Sequence, residues 1–67
     1  MVTIDARGLS CPQPVVLTKK ALAENKNCAI IIVDNTIALE NITRFAENKG
    51  LTVKYVEKNG DYEITIG

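Results

Sequence analysis

Residues 51–66 read LTVKYVEKNGDYEITI, and their pattern decides the fold. Asn59-Gly60 is the preferred two-residue hairpin turn, and alternating segments flank it on both sides. With these two residues at the turn, Tyr55 faces Ile64 and Val53 faces Ile66. That register puts Leu51, Val53, Tyr55, Tyr62, Ile64 and Ile66 on one side of a sheet, so turn chemistry and hydrophobic alternation specify the same pairing.

Moving upstream, Asp34, Asn35 and Thr36 offer capping oxygens to a helix in which Ala38, Leu39, Ile42, Phe45 and Ala46 share a face, with Gly50 as its stop. Glu40 and Arg44 are spaced to pair on its outer side. CAIIIV at 28–33 is apolar on both faces and β-branched, which suits a central strand. From Pro12 the period is helical: Val15, Leu17, Thr18, Ala21 and Leu22 lie on one side, while Val16, Lys19, Lys20 and Ala23 lie on the other. This helix ends near Glu24, with Asn25 suited to the left-handed terminal position. Val2 to Asp5 alternates as a short strand, and DARG at 5–8 turns away from it.

The order β-α-β-α-β-β with right-handed crossovers predicts an α/β (α+β) two-layer sandwich: a four-stranded mixed sheet with both helices on one face. The other face is left to solvent or a partner. Val56 and part of Ile30 to Val33 point that way and form a modest apolar patch, the expected docking surface.

At 67 residues the chain is one domain, 1–67, near the lower size limit for folding on a hydrophobic core alone. Its composition, 46% hydrophobic and 24% charged, is that of a globular protein. Eight basic residues balance eight acidic ones, and one Phe and two Tyr offer few stacking platforms, which disfavours direct nucleic-acid binding. The apolar run 29–33 is far too short to span a bilayer, and VTIDARG after Met1 is no leader, so a soluble cytoplasmic protein is expected, with no membrane partner. Two cysteines and no histidine cannot form a four-ligand structural metal site.

The two cysteines stand in different settings and are read as separate thiols. Cys28 opens the central strand and reads as a buried, unreactive thiol. Cys11 sits in GLSCPQP, residues 8–14, where Gly8 turns the loop and Pro12 suits the first helical position, which makes Cys11 the N-cap. A thiolate there lies at the positive end of the helix dipole, and its pKa should fall from about 8.5 toward neutrality. With Pro12 first and Pro14 third, only the Gln13 N–H of these three is left as a backbone donor. The prolines then fix the geometry while keeping Cys11 moderately acidic. Arg7, in the same loop, is a candidate contact for an anionic partner group.

Without histidine a Cys-His hydrolase is excluded, and without C-x-x-C so is a dithiol redox enzyme. What remains is a lone exposed thiolate that attacks a sulfur atom and holds it. The competing reading is a non-catalytic binding or regulatory module that uses the open sheet face, with Cys11 structural.

DARGLSCPQP, together with DNTIALENITRFAENKG, resembles the TusA (SirA-like) sulfur-carrier family, whose mark is Cys-Pro-x-Pro at the head of the first helix, here Cys11, Pro12, Gln13 and Pro14. The resemblance implies a persulfide carrier with no bound cofactor. Cys11 would receive sulfane sulfur from a cysteine desulfurase or rhodanese-type donor and pass it to a downstream acceptor protein. DN before the second helix, with EN and RFA inside it, looks closest to the YedF-like branch linked to selenium metabolism. That branch often continues into a second domain, which would make 1–67 an N-terminal unit.

Overall fold

The computed structural model describes residues 2–10 and 12–67. Four strands and two helices follow in the expected order: β1 (Val2–Asp5), α1 (Gln13–Glu24), β2 (Ala29–Val33), α2 (Thr36–Asn48), β3 (Val53–Lys58) and β4 (Asp61–Ile66). In the sheet they run β1-β2-β4-β3, with β1 parallel to β2 and the other neighbours antiparallel. The mixed sheet and two-helix layer are those read from the pattern. The position of β4 between β2 and β3 is new.

The terminal hairpin adopts the register that its sequence specifies, with Tyr55 opposite Ile64 and Val53 opposite Ile66. Asn59 and Gly60 take φ of 52° and 86°, the left-handed pair that a type I′ turn requires. Beyond Gly60 and its two chain neighbours, nothing lies within 4 Å of where a Cβ on Gly60 would stand, so a side chain there meets conformational strain rather than a clash. Gly60→Ala should therefore cost about 1–2 kcal/mol, read as a lowered denaturation midpoint at unchanged m-value. An unchanged midpoint would mean that the turn relaxes without resistance.

Tyr55 takes its expected place but is poorly covered. It shares the helix-side face with Ile64, but β3 is an edge strand that α2 covers incompletely, so Tyr55 is 55% exposed and rests edge-on against Tyr62, ring centroids 6.0 Å apart. Along β2, Ala29, Ile31 and Val33 are buried under the helices, whereas Ile30 and Ile32 face the other way and are half-buried. Val56, 52% exposed, lies on that uncovered face, joined to Ile32 through Glu63.

Leu22 of α1 and Ile42 of α2 meet Ile31, Val33, Ile64 and Ile66 in a single core. Thr18 is the buried polar residue among them, and its hydroxyl donates to the Pro14 carbonyl at 2.8 Å, so no buried side-chain polar atom is stranded among the described residues.

The helix ends correct two local expectations. Asn25 is not left-handed (φ −125°); its side-chain amide and its N–H both reach the Ala21 carbonyl. The left-handed residues are Lys26 and Asn27, and the Asn27 N–H closes back on the Leu22 carbonyl at 2.8 Å. Glu40 and Arg44 form no ion pair with each other. α2 is fixed instead by its ends: Asn35 Oδ1 accepts from the Ala38 N–H at 2.8 Å, and Gly50 (φ 79°) lets the Leu51 N–H return to the Ala46 carbonyl. Neither helix is long and apolar enough to cross a membrane among the described residues.

Candidate functional site

The parallel pairing of β1 and β2 brings the segment after β1 and the segment after β2 to the same end of the sheet. The Ala6 N–H continues the ladder to the Ile32 carbonyl at 2.8 Å, and Ala6 is buried, so the chain leaves the sheet at Arg7. Gly8 then turns with φ of 79°, a conformation costly for any residue with a Cβ. Its N–H donates to Asp34 Oδ2 at 3.0 Å, which ties the loop to the head of α2.

Cys11 itself lies outside the described residues, but its neighbours frame it. Ser10 and Pro12 are both exposed, and the Gln13 N–H donates to the Ser10 carbonyl at 2.9 Å. The first helical bond follows, from the Val16 N–H to the Pro12 carbonyl at 3.0 Å. The helix begins at Gln13 with Pro12 as its cap, one residue later than the sequence predicts for Pro12 and Cys11. The reason is Pro12's backbone, φ −97° and ψ 13°, which belongs to the turn rather than to the helix. Proline has no side-chain oxygen to cap with, and among the described residues no side chain caps this end.

Two consequences bear on the prolines. Gln13, expected to keep a free N–H for the sulfur, has given it to Ser10, so residues 12–14 present no uncommitted backbone donor. Pro14 is fully buried, and its ring is part of the core. Exchanging it for alanine would open a cavity and cost stability. Pro12 shapes the turn and Pro14 anchors the helix head.

Gly8, Leu9 and Ser10 on one side, Pro14 and Val15 below, and Asp34, Asn35, Ile37, Ala38 and Asn41 opposite enclose a groove of about 430 Å³. Ile37, 66% exposed, stands at its rim. Its lining thus includes Ser10, the residue before Cys11, and Pro14, three residues after it.

Arg7 is engaged elsewhere. Its guanidinium meets Asp5 at 2.8 Å and Asp61 at 3.0 Å, joining the end of β1 to the start of β4. One cation between two carboxylates leaves a net negative cluster, which does not favour an anion contact at this residue. The side-chain hydrogen bond from Arg7, aided by its N–H, lowers Asp5 from its ordinary 3.8 to about 2. The folded value lies below the unfolded one, so the interaction is present above about pH 4 and is lost as the pH falls toward 2. Following the Asp5 carboxyl by NMR, Arg7→Ala should return its titration to the ordinary carboxylate range. A midpoint still near 2 would assign the shift to another cause.

Cys28 stands at the far end of β2 from this loop, half-buried rather than buried, with its sulfur packed on the backbone of Gly67. Asp34 is the site residue that the sequence did not single out: it was read as one of three capping oxygens, and Asn35 alone performs that task. The contact to Gly8 spans 26 residues, and no local pattern carries it.

The profile of the family described as sulfurtransferase TusA matches residues 2–67. A Methanocaldococcus jannaschii protein named as a candidate sulfur carrier is 50% identical over 60 residues, covering 87% of this chain and 80% of that one. The Bacillus subtilis protein YrkI, named in the same terms, is 35% identical over 60 residues, with the same coverage of each chain. The crystal structure of a SirA-like protein from Desulfitobacterium hafniense superposes with a TM-score of 0.92 at 46% identity, over 98% of this chain and 95% of the other. Fold, sequence and profile agree along nearly the whole length, and the chain belongs to the sulfurtransferase TusA family.

Proposed function

We propose that this protein carries sulfane sulfur as a persulfide on Cys11. The Cys11 thiolate attacks the terminal sulfur of a donor persulfide; a bond forms between Cys11 Sγ and that sulfur, the donor's S–S bond breaks, and the donor departs with the electron pair as a thiolate. Delivery repeats the step, with an acceptor thiolate attacking the outer sulfur and Cys11 leaving. No net oxidation or reduction occurs, and no metal, cofactor or general base is required once the thiol is ionised.

The observation that carries this reading is the exposure of Ser10 and Pro12, with Ser10 lining an open groove, in a chain whose family is that of sulfur carriers. Such a carrier meets a donor and an acceptor in turn. A cysteine desulfurase or rhodanese-type protein fits the donor's chemistry, and a protein thiol fits the acceptor's. Gly8, Pro12, Gln13 and Pro14 act through shape, as the turn and anchored helix head that hold the loop. Selenium is open to the same attack, and supplying selenocysteine in place of cysteine separates the two chalcogens by mass.

The test is incubation with a desulfurase and free cysteine, followed by intact mass and peptide mapping. The expected result is one added sulfur, removable by reductant and mapped to Cys11. No added mass would overturn the carrier reading in favour of a binding module.

A further inference from the structure

We propose that Asp34 and Asn35 form a latch that positions the Cys11 loop for protein-to-protein transfer, an inference that rests on the carrier reading above. Two side chains connect the loop to α2. Asp34 Oδ2 accepts from the Gly8 N–H at 3.0 Å, and Asp34 Oδ1 accepts from Asn35 Nδ2 at 3.1 Å. Asn35 Oδ1 accepts from the Ala38 N–H at 2.8 Å.

The orientation of the Asn35 amide follows from this last bond. Its oxygen must face the helix N–H, so its nitrogen must face Asp34. The cap of α2 thereby braces the carboxylate that holds Gly8, and Gly8 sits three residues before Cys11. The same residues line the groove: Gly8, Leu9 and Ser10 on the held side, Asp34 and Asn35 on the holding side. Latch and groove are one construction, so the latch sets the width of the groove between Gly8–Ser10 and the head of α2.

The latch is a positioning device, since it touches neither sulfur atom in the exchange. A small electrophile needs only an accessible thiolate, whereas a donor protein must bring its persulfide to a sulfur held in one place. Misplacement of a reacting group by about an ångström can cost up to about a hundredfold. Loosening the loop should therefore slow transfer from a protein far more than alkylation by iodoacetamide.

Asp34→Ala removes the acceptor outright. Asn35→Ser keeps a good cap for α2 and deletes only the brace on Asp34, which guards against a variant that fails to fold. For Asp34→Ala the expected results are Gly8 amide exchange faster by about tenfold, desulfurase loading of Cys11 slower by about tenfold, and iodoacetamide alkylation of Cys11 changed by less than about twofold. Asn35→Ser should move the same readouts the same way by a smaller factor. Equal losses in loading and alkylation, or unchanged loading, or unchanged Gly8 exchange, would each overturn the latch. A parent protein that accepts no sulfur would overturn the carrier reading instead, and the latch would then be judged on Gly8 exchange alone.

Discussion

Cys11→Ser is expected to take up no sulfur from a desulfurase, while Cys28→Ser loads as the parent does. A serine hydroxyl does not ionise near neutral pH and is a poor nucleophile toward sulfane sulfur, so the loss should be complete, to the background of the assay. The far-ultraviolet spectrum should not change, because Ser10 and Pro12 are exposed and the bonds that hold the loop, at Gly8 and at Ser10, involve neither cysteine side chain. Cys28 is half-buried at the other end of β2, with its sulfur against Gly67, where a docked donor at the groove does not reach it. Alkylation should show the same contrast, with Cys11 modified much faster than Cys28 near neutral pH. Loading that survives Cys11→Ser, or disappears in Cys28→Ser, would move the carrier to the other thiol.

Ile31→Ala should cost about 3–4 kcal/mol. Ile31 is completely buried, paired with Ile4 on one side and Ile64 on the other, on the helix-covered face. A domain this small sits near the lower part of the usual range of about 5–15 kcal/mol, so the variant forfeits most of its stability. With an m-value of about 1 kcal/mol per molar urea, the midpoint should fall by about 3 M. Ile30→Ala, one residue away on the uncovered face, should cost about 1 kcal/mol. Equal costs at 30 and 31 would show that both faces of β2 are covered in solution.

The elements were legible because each is encoded twice. Asn59-Gly60 and the alternation around it name the same register, while Asn35 and Gly50 bracket a helix whose apolar spacing already marks it. CAIIIV reads as central because no polar residue interrupts it. The order of strands was not legible, since the pairing of β2 with β4 joins segments roughly thirty residues apart and both are apolar enough to pair with any neighbour. At the site, the glycine turn and prolines singled out the loop that lines the groove, but two details escaped. Pro12 caps rather than begins α1, because ψ at a proline answers to the turn before it. Asp34 holds Gly8 rather than capping α2, because a carboxylate beside a better-placed Asn35 is displaced from the cap and finds a distant donor.

The interior place of β4 has a bearing on how the chain assembles. β1 and β2 can meet once α1 has formed between them, and β3 and β4 can close on their tight turn within microseconds. The sheet is joined only when this late hairpin docks with β4 inward, along the seam from Ala29–Ile66 to Val33–Tyr62. Until then β2 presents an apolar, unsaturated edge, the kind that recruits strands from other chains. The fold therefore places its greatest risk of mispairing, and its slowest loop closure, at a single seam, and substitutions that weaken that seam should show first as lower soluble yield during synthesis.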